Sequence, residues 1–102
     1  VLVSMTFRTP AEAVALANDT RYGLAASVWT RDLDRAFHVA RGVRSGSLWV
    51  NDALQAPSEA MFGGFGESGY GRELGRLGLE EYLEYKHVFV RLSGQGASAA
   101  HG

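Results

Sequence analysis

Apolar and polar residues alternate along the first half of the chain in a pattern that predicts strands and helices in turn. Val1–Phe7 is rich in β-branched and large apolar residues and predicts a first strand. Leu24–Trp29 is almost continuously apolar and predicts a second strand, and Ser47–Asn51 predicts a third. Because the connections between these elements are short, the pattern favours parallel strands joined by right-handed crossover helices. The predicted fold class is therefore α/β.

Two helices are predicted between these strands. The first begins in Thr9–Glu12, where a threonine cap, a proline at the first helical position and a capping-box glutamate follow one another, and it ends near Asn18. Thr30 is the predicted cap of the second helix. Its apolar residues recur at helical spacing, at Leu33, Ala36, Phe37, Ala40 and Val43. Gly46 is expected to take the left-handed conformation that ends this helix.

The second half of the chain is less regular. Residues 52–72 form a long, glycine-rich predicted loop, and loops of this length are usually functional or are held by something outside them. A short helix is predicted around Leu77–Tyr82. Tyr85–Leu92 alternates like a final strand, and it needs another sheet edge because it stands apart from the three-stranded unit. The small polar residues 93–102 predict a disordered tail.

Composition and charge narrow the function classes. The 102 residues suffice for one domain at most, and the abrupt apolar start at Val1 suggests a piece of a longer chain. Ten basic against eleven acidic residues leave no positive surface for nucleic acid. No apolar run reaches the roughly 20 residues that span a bilayer. The absence of cysteine excludes disulfides and a thiolate nucleophile in this chain, and it fits a reducing compartment such as the cytoplasm.

One glycine pattern raises a specific alternative. Gly64–Gly69 fits G-x-G-x-x-G, which can mark a loop that binds a dinucleotide pyrophosphate. Such a loop should follow a strand and open a helix, whereas Pro57–Met61 does not resemble a strand and further glycines interrupt Tyr70–Gly78. A tight loop whose glycines permit positive φ and close backbone approach is the favoured interpretation. A small nucleotide-binding domain stays open as an alternative.

Several motifs, in order and with matching spacing, resemble the C-terminal part of the NAD(P)-dependent aldehyde dehydrogenases. They are Asn18–Ala26, Trp29–Asp32, Gly46–Asn51, Phe62–Phe65, Ser68–Gly75 and Gly78–Tyr82. The resemblance covers roughly residues 2–92. It implies that residues 1–82 are the last part of a catalytic domain and that 83–92 are an oligomerisation strand.

The resemblance also implies an activity. In this family a cysteine thiolate attacks an aldehyde, hydride passes to the nicotinamide, and a glutamate-activated water releases the carboxylic acid. The cysteine, that glutamate and the cofactor domain do not lie in these 102 residues. NAD or NADP would therefore be bound mainly by other parts of the enzyme, and this chain alone should be inactive. The implied partners are a small aldehyde and further copies of the subunit, in a dimer or tetramer.

Site residues follow from the same resemblance. Phe62 matches an aromatic wall of the aldehyde pocket, which suits an uncharged, partly apolar substrate. The loop that shapes substrate choice in the family corresponds to Asp52, Ala53, Leu54, Gln55 and Ala56. Met61 and Gly66 depart from the family pattern, which has a small residue or proline and a lysine at these positions. Met61 could narrow the mouth of the pocket, and Gly66 removes a charge.

Two further roles concern proton transfer and assembly. Glu73 matches a glutamate that relays a proton near the catalytic base, and burial would suit that role; the alternative is a structural ion pair. Arg72 is implied to form ion pairs at the subunit contact, the alternative being a solvated side chain. The other implied interface residues are Tyr85, Val88 and Val90. The three histidines, His38, His87 and His101, show no metal-ligand spacing.

Three function classes remain open at this point. The favoured one is a section of an aldehyde dehydrogenase that contributes a substrate-pocket wall and subunit contacts. The second is a non-catalytic oligomerisation or interaction module derived from that family. The third is an independent nucleotide binder that uses Gly64–Gly69.

Overall fold

A computed structural model describes residues 1–94. Its elements, in chain order, are α1 (Pro10–Asn18), β1 (Tyr22–Gly23), β2 (Ala25–Val28), α2 (Leu33–Gly42), β3 (Ser47–Val50), β4 (Phe65–Gly66) and α3 (Gly75–Glu80). The strands form two small sheets, with β2 parallel to β3 and β1 antiparallel to β4. The structure therefore has the predicted mixture of helices and strands.

The unit β2–α2–β3 is the predicted parallel pair with a crossover helix. Ala25 lies opposite Ser47 and Val28 opposite Val50, so all four residues of each strand are paired. Helix α2 packs on β2 and α1 packs on α2. Ala36 of α2, at 3% exposure, is the most deeply buried apolar side chain of this small core.

Helix α1 begins where the sequence predicts. The Thr9 hydroxyl accepts a hydrogen bond from the Glu12 amide at 3.1 Å, which satisfies one of the free N–H groups of the first turn. The Glu12 carboxylate accepts from the Arg8 amide at 2.9 Å, one residue before the position that a capping box would use. The cap is confirmed, and the reciprocal bond of the capping box is displaced by one residue.

The predicted cap of α2 is wrong by two residues. Asp32 is the cap, because its carboxylate accepts from the Arg35 amide at 3.1 Å. The Thr30 hydroxyl accepts instead from the Asp32 amide at 3.1 Å and so supports the turn that leads into the helix. Aspartate caps as well as threonine does, and it stands directly before the first helical residue.

Gly46 does not end α2 in a left-handed conformation. The helix ends at Gly42, and Val43 follows it with extended backbone. A Cβ at Gly46 would overlap the carbonyl of Gly63. The glycine is therefore required by the close approach of a distant loop and not by the helix end.

Two predicted strands do not form in the described residues. Val1–Phe7 and Tyr85–Leu92 have no regular secondary structure, and their large apolar side chains are mostly exposed. A strand requires a partner edge, and neither segment pairs with β1–β4. The short helix α3 is confirmed, although it begins and ends two residues before the predicted bounds. Of the predicted tail, all but residues 93 and 94 lies outside the described residues.

Residues 1–94 contain no helix that is both long and apolar enough to cross a membrane.

Candidate functional site

A cavity of about 340 Å³ lies between β3 and the loop that follows it. Its walls are formed by Ser47, Leu48, Trp49, Gln55, Ala56, Pro57, Ala60, Met61 and Phe62. None of these side chains is ionisable, and most are apolar. The cavity can therefore bind an uncharged, partly apolar group, but its own walls supply no acid, base or charged nucleophile.

The chain turns into this cavity through two residues with left-handed backbone. Asn51 has φ of 56° and Leu54 has φ of 62°. Asparagine adopts this conformation more readily than most residues, and its side-chain oxygen also accepts from the Thr30 amide at 2.8 Å. Further along, the indole N–H of Trp49 donates to the Gln55 carbonyl at 2.8 Å. These bonds bring the loop back over the end of β3.

The predicted substrate residues divide into two groups. Phe62, Gln55 and Ala56 line the cavity, together with Met61. The other three, Asp52, Ala53 and Leu54, do not line it and are exposed. The two groups are separated at Leu54, one of the two positions of left-handed backbone in this turn, and only the predicted residues after it line the cavity. Trp49 also lines the cavity but was not predicted from the sequence. The signal that could have indicated it is an aromatic residue in the strand that leads into the substrate loop.

Phe62 and Glu73 are brought together by the backbone. The Phe62 amide donates to the Glu73 carbonyl at 2.7 Å, and the Glu73 amide donates back at 2.8 Å. This antiparallel bridge places the implied relay glutamate directly across from the aromatic wall. The Glu73 side chain is exposed, which contradicts the expectation of a buried carboxylate, because no other element of residues 1–94 covers it. It also forms no salt bridge among residues 1–94.

Arg72 binds to the loop that precedes it. Its guanidinium donates to the carbonyls of Gly64 at 3.0 Å and Gly71 at 2.7 Å, and it lies 5.4 Å from the ring centroid of Phe65. Its side chain is therefore not merely solvated, and it forms no salt bridge among residues 1–94. A contact between Arg72 and another subunit stays a prediction.

The geometry of Gly64–Gly69 excludes the phosphate-loop interpretation. The amides of Glu67, Ser68 and Gly69 donate to the carbonyls of Arg21, Phe65 and Gly66, at 2.8, 3.2 and 3.4 Å. These N–H groups are thus not free to bind a pyrophosphate, and β4 lies within the motif where a helix should open. Gly66, with φ of 58°, approaches the Arg21 carbonyl closely. The tight-loop interpretation is confirmed, and the residues do not fit a dinucleotide phosphate.

No cluster of three or more potential metal ligands occurs among residues 1–94. Each salt bridge found there has at least one largely exposed partner, for example Arg21–Glu67 at 3.2 Å, and such pairs contribute little to stability. Charge therefore does not organise the site. Backbone hydrogen bonds and apolar contact do.

Comparison with known proteins identifies the family. Residues 1–88 match the model of the aldehyde dehydrogenase family. The chain is 48% identical over 89 residues to the betaine aldehyde dehydrogenase of Bacillus subtilis, a match that covers 87% of this chain and 18% of that protein. It is 47% identical to cytosolic aldehyde dehydrogenase 1 of the mouse, over 87% of this chain and 18% of the mouse protein.

Solved structures agree with this match. A double mutant of the betaine aldehyde dehydrogenase of Staphylococcus aureus, in complex with NAD⁺, superposes with a TM-score of 0.85 at 43% identity. The alignment covers 91% of this chain and 19% of that one. An NAD-dependent aldehyde dehydrogenase from Sinorhizobium meliloti gives 0.84 at 46% identity, over 90% and 18%. The chain thus spans less than a fifth of the relatives described here, and it belongs to the aldehyde dehydrogenase family.

Proposed function

We propose that this chain is the closing section of an NAD(P)-dependent aldehyde dehydrogenase and forms one wall of its aldehyde pocket. The observation that carries the proposal is the cavity that unites Phe62 with Gln55, Ala56 and Met61. These residues come from the loop that follows β3, and the fold places them against Ser47, Leu48 and Trp49 of that strand. They are also the positions at which the family resemblance implies substrate contact.

The chemistry of the wall suits an aldehyde. A carbonyl compound is uncharged, and apolar or aromatic walls bind its carbon chain while excluding water. The wall has no thiol and no ionisable group, and the chain has no cysteine. The nucleophile, the general base and the residues that bind NAD or NADP would therefore come from other parts of the enzyme. The chain contributes binding and shape.

Glu73 is proposed as the proton relay of this site. Its backbone is fixed opposite Phe62 by two hydrogen bonds, so the carboxylate starts from a defined position beside the pocket wall. Proton transfer by a positioned side chain typically contributes about 10²- to 10⁴-fold to the rate. Burial of Glu73 would have to come from the remainder of the enzyme, since residues 1–94 leave it exposed.

The final segment is proposed as an oligomerisation strand. Tyr85, Val88 and Val90 are 84%, 67% and 69% exposed, which is unusual for three large apolar side chains so close together. An extended apolar segment of this kind gains main-chain hydrogen bonds and side-chain burial when it adds to a sheet edge of another subunit. Homo-oligomeric assembly, with Arg72 near the contact, follows from this proposal. The same observation supports the second candidate function, an assembly module without catalysis.

A chimera tests the proposal. Residues 1–88 replace the matching segment of the Bacillus subtilis betaine aldehyde dehydrogenase, and NADH production is followed with propanal and betaine aldehyde. We expect an active chimera, and no NADH from the 102-residue chain alone. In the chimera, Glu73→Gln should retain the initial NADH burst while steady-state turnover falls by about 10²-fold or more, because the water step follows hydride transfer.

A second carboxylate serves as the control. Glu80→Gln changes a carboxylate whose one salt bridge among residues 1–94 is with the exposed Arg76, and turnover should not change. A folded, oligomeric chimera that produces no burst would favour the assembly module over the enzyme. Unchanged turnover in a stable Glu73→Gln chimera would refute the relay role of Glu73 and leave the pocket-wall proposal intact.

A further inference from the structure

We propose that Trp49 is a positioning residue that holds the loop wall of the cavity and thereby sets the size of the aldehyde that enters. This inference rests on the proposed function, because it concerns the same cavity. Trp49 lies in β3 and pairs with Ser27 of β2, so its backbone belongs to the most regular part of the structure. The same residue lines the cavity. Trp49 therefore connects the rigid sheet to the substrate loop.

The connection is one hydrogen bond. The indole N–H of Trp49 donates to the Gln55 carbonyl at 2.8 Å, across six residues of the chain. Indole N–H is a donor without acceptor capacity, so a backbone carbonyl is a well-matched partner. Gln55 and Ala56 are the two predicted loop residues that line the cavity. The bond is thus made at Gln55, the first loop residue that lines the cavity.

The loop needs this restraint. All of residues 51–56 are exposed, and Asn51 and Leu54 are both held in left-handed backbone, which non-glycine residues rarely adopt. The Asn51 amide donates to the Val28 carbonyl of β2, and the Asn51 side-chain oxygen accepts from the Thr30 amide. Beyond it, among residues 52–56, the only other hydrogen bond within the described chain is local, from the Ala53 amide to the Asp52 carboxylate. Removing the indole donor would free the Gln55 wall.

Loss of the Trp49 bond should change which aldehydes bind more than it changes the rate of the chemical step. The cavity should admit bulky aldehydes more readily and hold small ones less well, since the contacts that exclude water from a small substrate are lost. One hydrogen bond contributes modestly to stability, which corresponds to roughly a threefold to tenfold effect. The ratio of kcat/KM for phenylacetaldehyde to that for acetaldehyde should therefore rise by roughly threefold to tenfold. The change should arise mainly in KM, and the NADH burst should remain.

Two substitutions in the chimera remove the N–H group. Trp49→Phe keeps an aromatic ring and removes the donor. Replacement of Trp49 by β-(3-benzothienyl)alanine keeps the size and shape of the indole and removes only the donor. The matched control is Trp29→Phe, which changes the other tryptophan of the chain, a residue that is 68% exposed and does not line this cavity.

Deuterium exchange of the backbone amides in the 51–57 loop supplies a readout that does not need activity. Loss of the Trp49 donor should accelerate this exchange, whereas Trp29→Phe should not. An active chimera whose benzothienyl variant keeps both its substrate ratio and its loop exchange would overturn the proposal for Trp49. An inactive parent chimera would count against the proposed function. The exchange experiment would still test Trp49, because loop exchange that is the same in the inactive parent and in its benzothienyl variant would overturn the role of the indole donor.

Discussion

Residues 9–50 and residues 62–73 are both held by backbone hydrogen bonds, but they reach their structures in different ways. The first region contains α1, α2 and the parallel pair of β2 and β3, and its apolar spacing and caps are visible in the sequence. The second is a ribbon in which Phe62 faces Glu73, and half of the residues between them are glycine. A Cβ at Gly63 would lie 2.5 Å from the Gly71 carbonyl. The ribbon therefore forms only if these positions lack a side chain.

The two regions meet at glycines. Gly46 leads into β3 and is approached so closely by the Gly63 carbonyl that no side chain fits between them. Gly23 of β1 pairs with Phe65 of β4, and its amide donates to the Ser68 hydroxyl at 2.8 Å. The cavity wall formed by Phe62 thus depends on contacts that the regular region makes with the ribbon. Substitutions in each region, compared in the chimera, can test this difference.

The largest effect is expected from Gly46→Ala. The added methyl group would overlap backbone atoms of the ribbon, which cannot rotate away as a side chain can, so we expect a loss of about 3 kcal/mol or more. The melting temperature of the chimera measures it. Gly42→Ala is the control, because its methyl would lie nearest to the side chain of Val14 and not to backbone, and alanine favours a helix. Equal melting temperatures for the two variants would contradict the close-approach explanation.

Arg72→Ala should have the next largest effect. The change removes two charge-assisted bonds to the Gly64 and Gly71 carbonyls and the contact with Phe65, which should cost about 2 kcal/mol. Arg72→Lys should restore only part of this loss, since an ammonium can donate to the same carbonyls but does not stack on the Phe65 ring as a planar guanidinium does. Arg76→Ala, which breaks a surface pair, should change stability by less than about 0.5 kcal/mol. If Arg76→Ala lowered the stability as much as Arg72→Ala, the bonds of Arg72 to the ribbon could not be the cause of the loss.

Asn18→Ala should weaken the junction between the ends of the two helices. Its side-chain amide donates to the Gly42 carbonyl and accepts from the Arg44 amide, both at 2.8 Å. Loss of both bonds should destabilise the chimera by about 1–2 kcal/mol. Asn18→Asp keeps the acceptor and should retain about half of that amount. Faster amide exchange at Arg44 in the alanine variant alone would confirm the assignment of the two bonds, and equal exchange in both variants would refute it.

The smallest effect is expected at the start of α2. Asp32→Ala removes the capping oxygen for the Arg35 amide and should cost about 1 kcal/mol, as helix caps typically do. Thr30→Ala removes only a bond within the preceding turn and should cost less. Thermal melting of both variants ranks them. A larger loss for Thr30→Ala would restore threonine as the effective cap.

The sequence could predict most of the regular region because its signals are local. Thr9 and the residues after it define the start of α1, and the spacing of Leu33 to Val43 defines the apolar face of α2. Even the error at Thr30 is local, since two good capping residues stand two positions apart. For the site, the family resemblance supplied Phe62, Gln55 and Ala56, and the structure placed all three at one cavity.

The rest depended on contacts between distant residues. A glycine pattern alone does not distinguish a phosphate loop from a tight turn; the bonds from the loop amides to Arg21, Phe65 and Gly66 do. Likewise, β-branched and large apolar residues predict Val1–Phe7 as a strand, and alternation predicts Tyr85–Leu92, but a strand forms only where a partner edge is present.

The sequence by itself determined the helices, the parallel pair and the family, because helix caps, apolar periodicity and ordered motifs are properties of short stretches. Only the tertiary structure decided that Gly46 makes room for Gly63, that Asp52, Ala53 and Leu54 do not line the cavity, and that Trp49 holds Gln55. The physical reason is that steric exclusion and hydrogen bonds across a fold depend on which backbones approach one another. No local pattern encodes that approach.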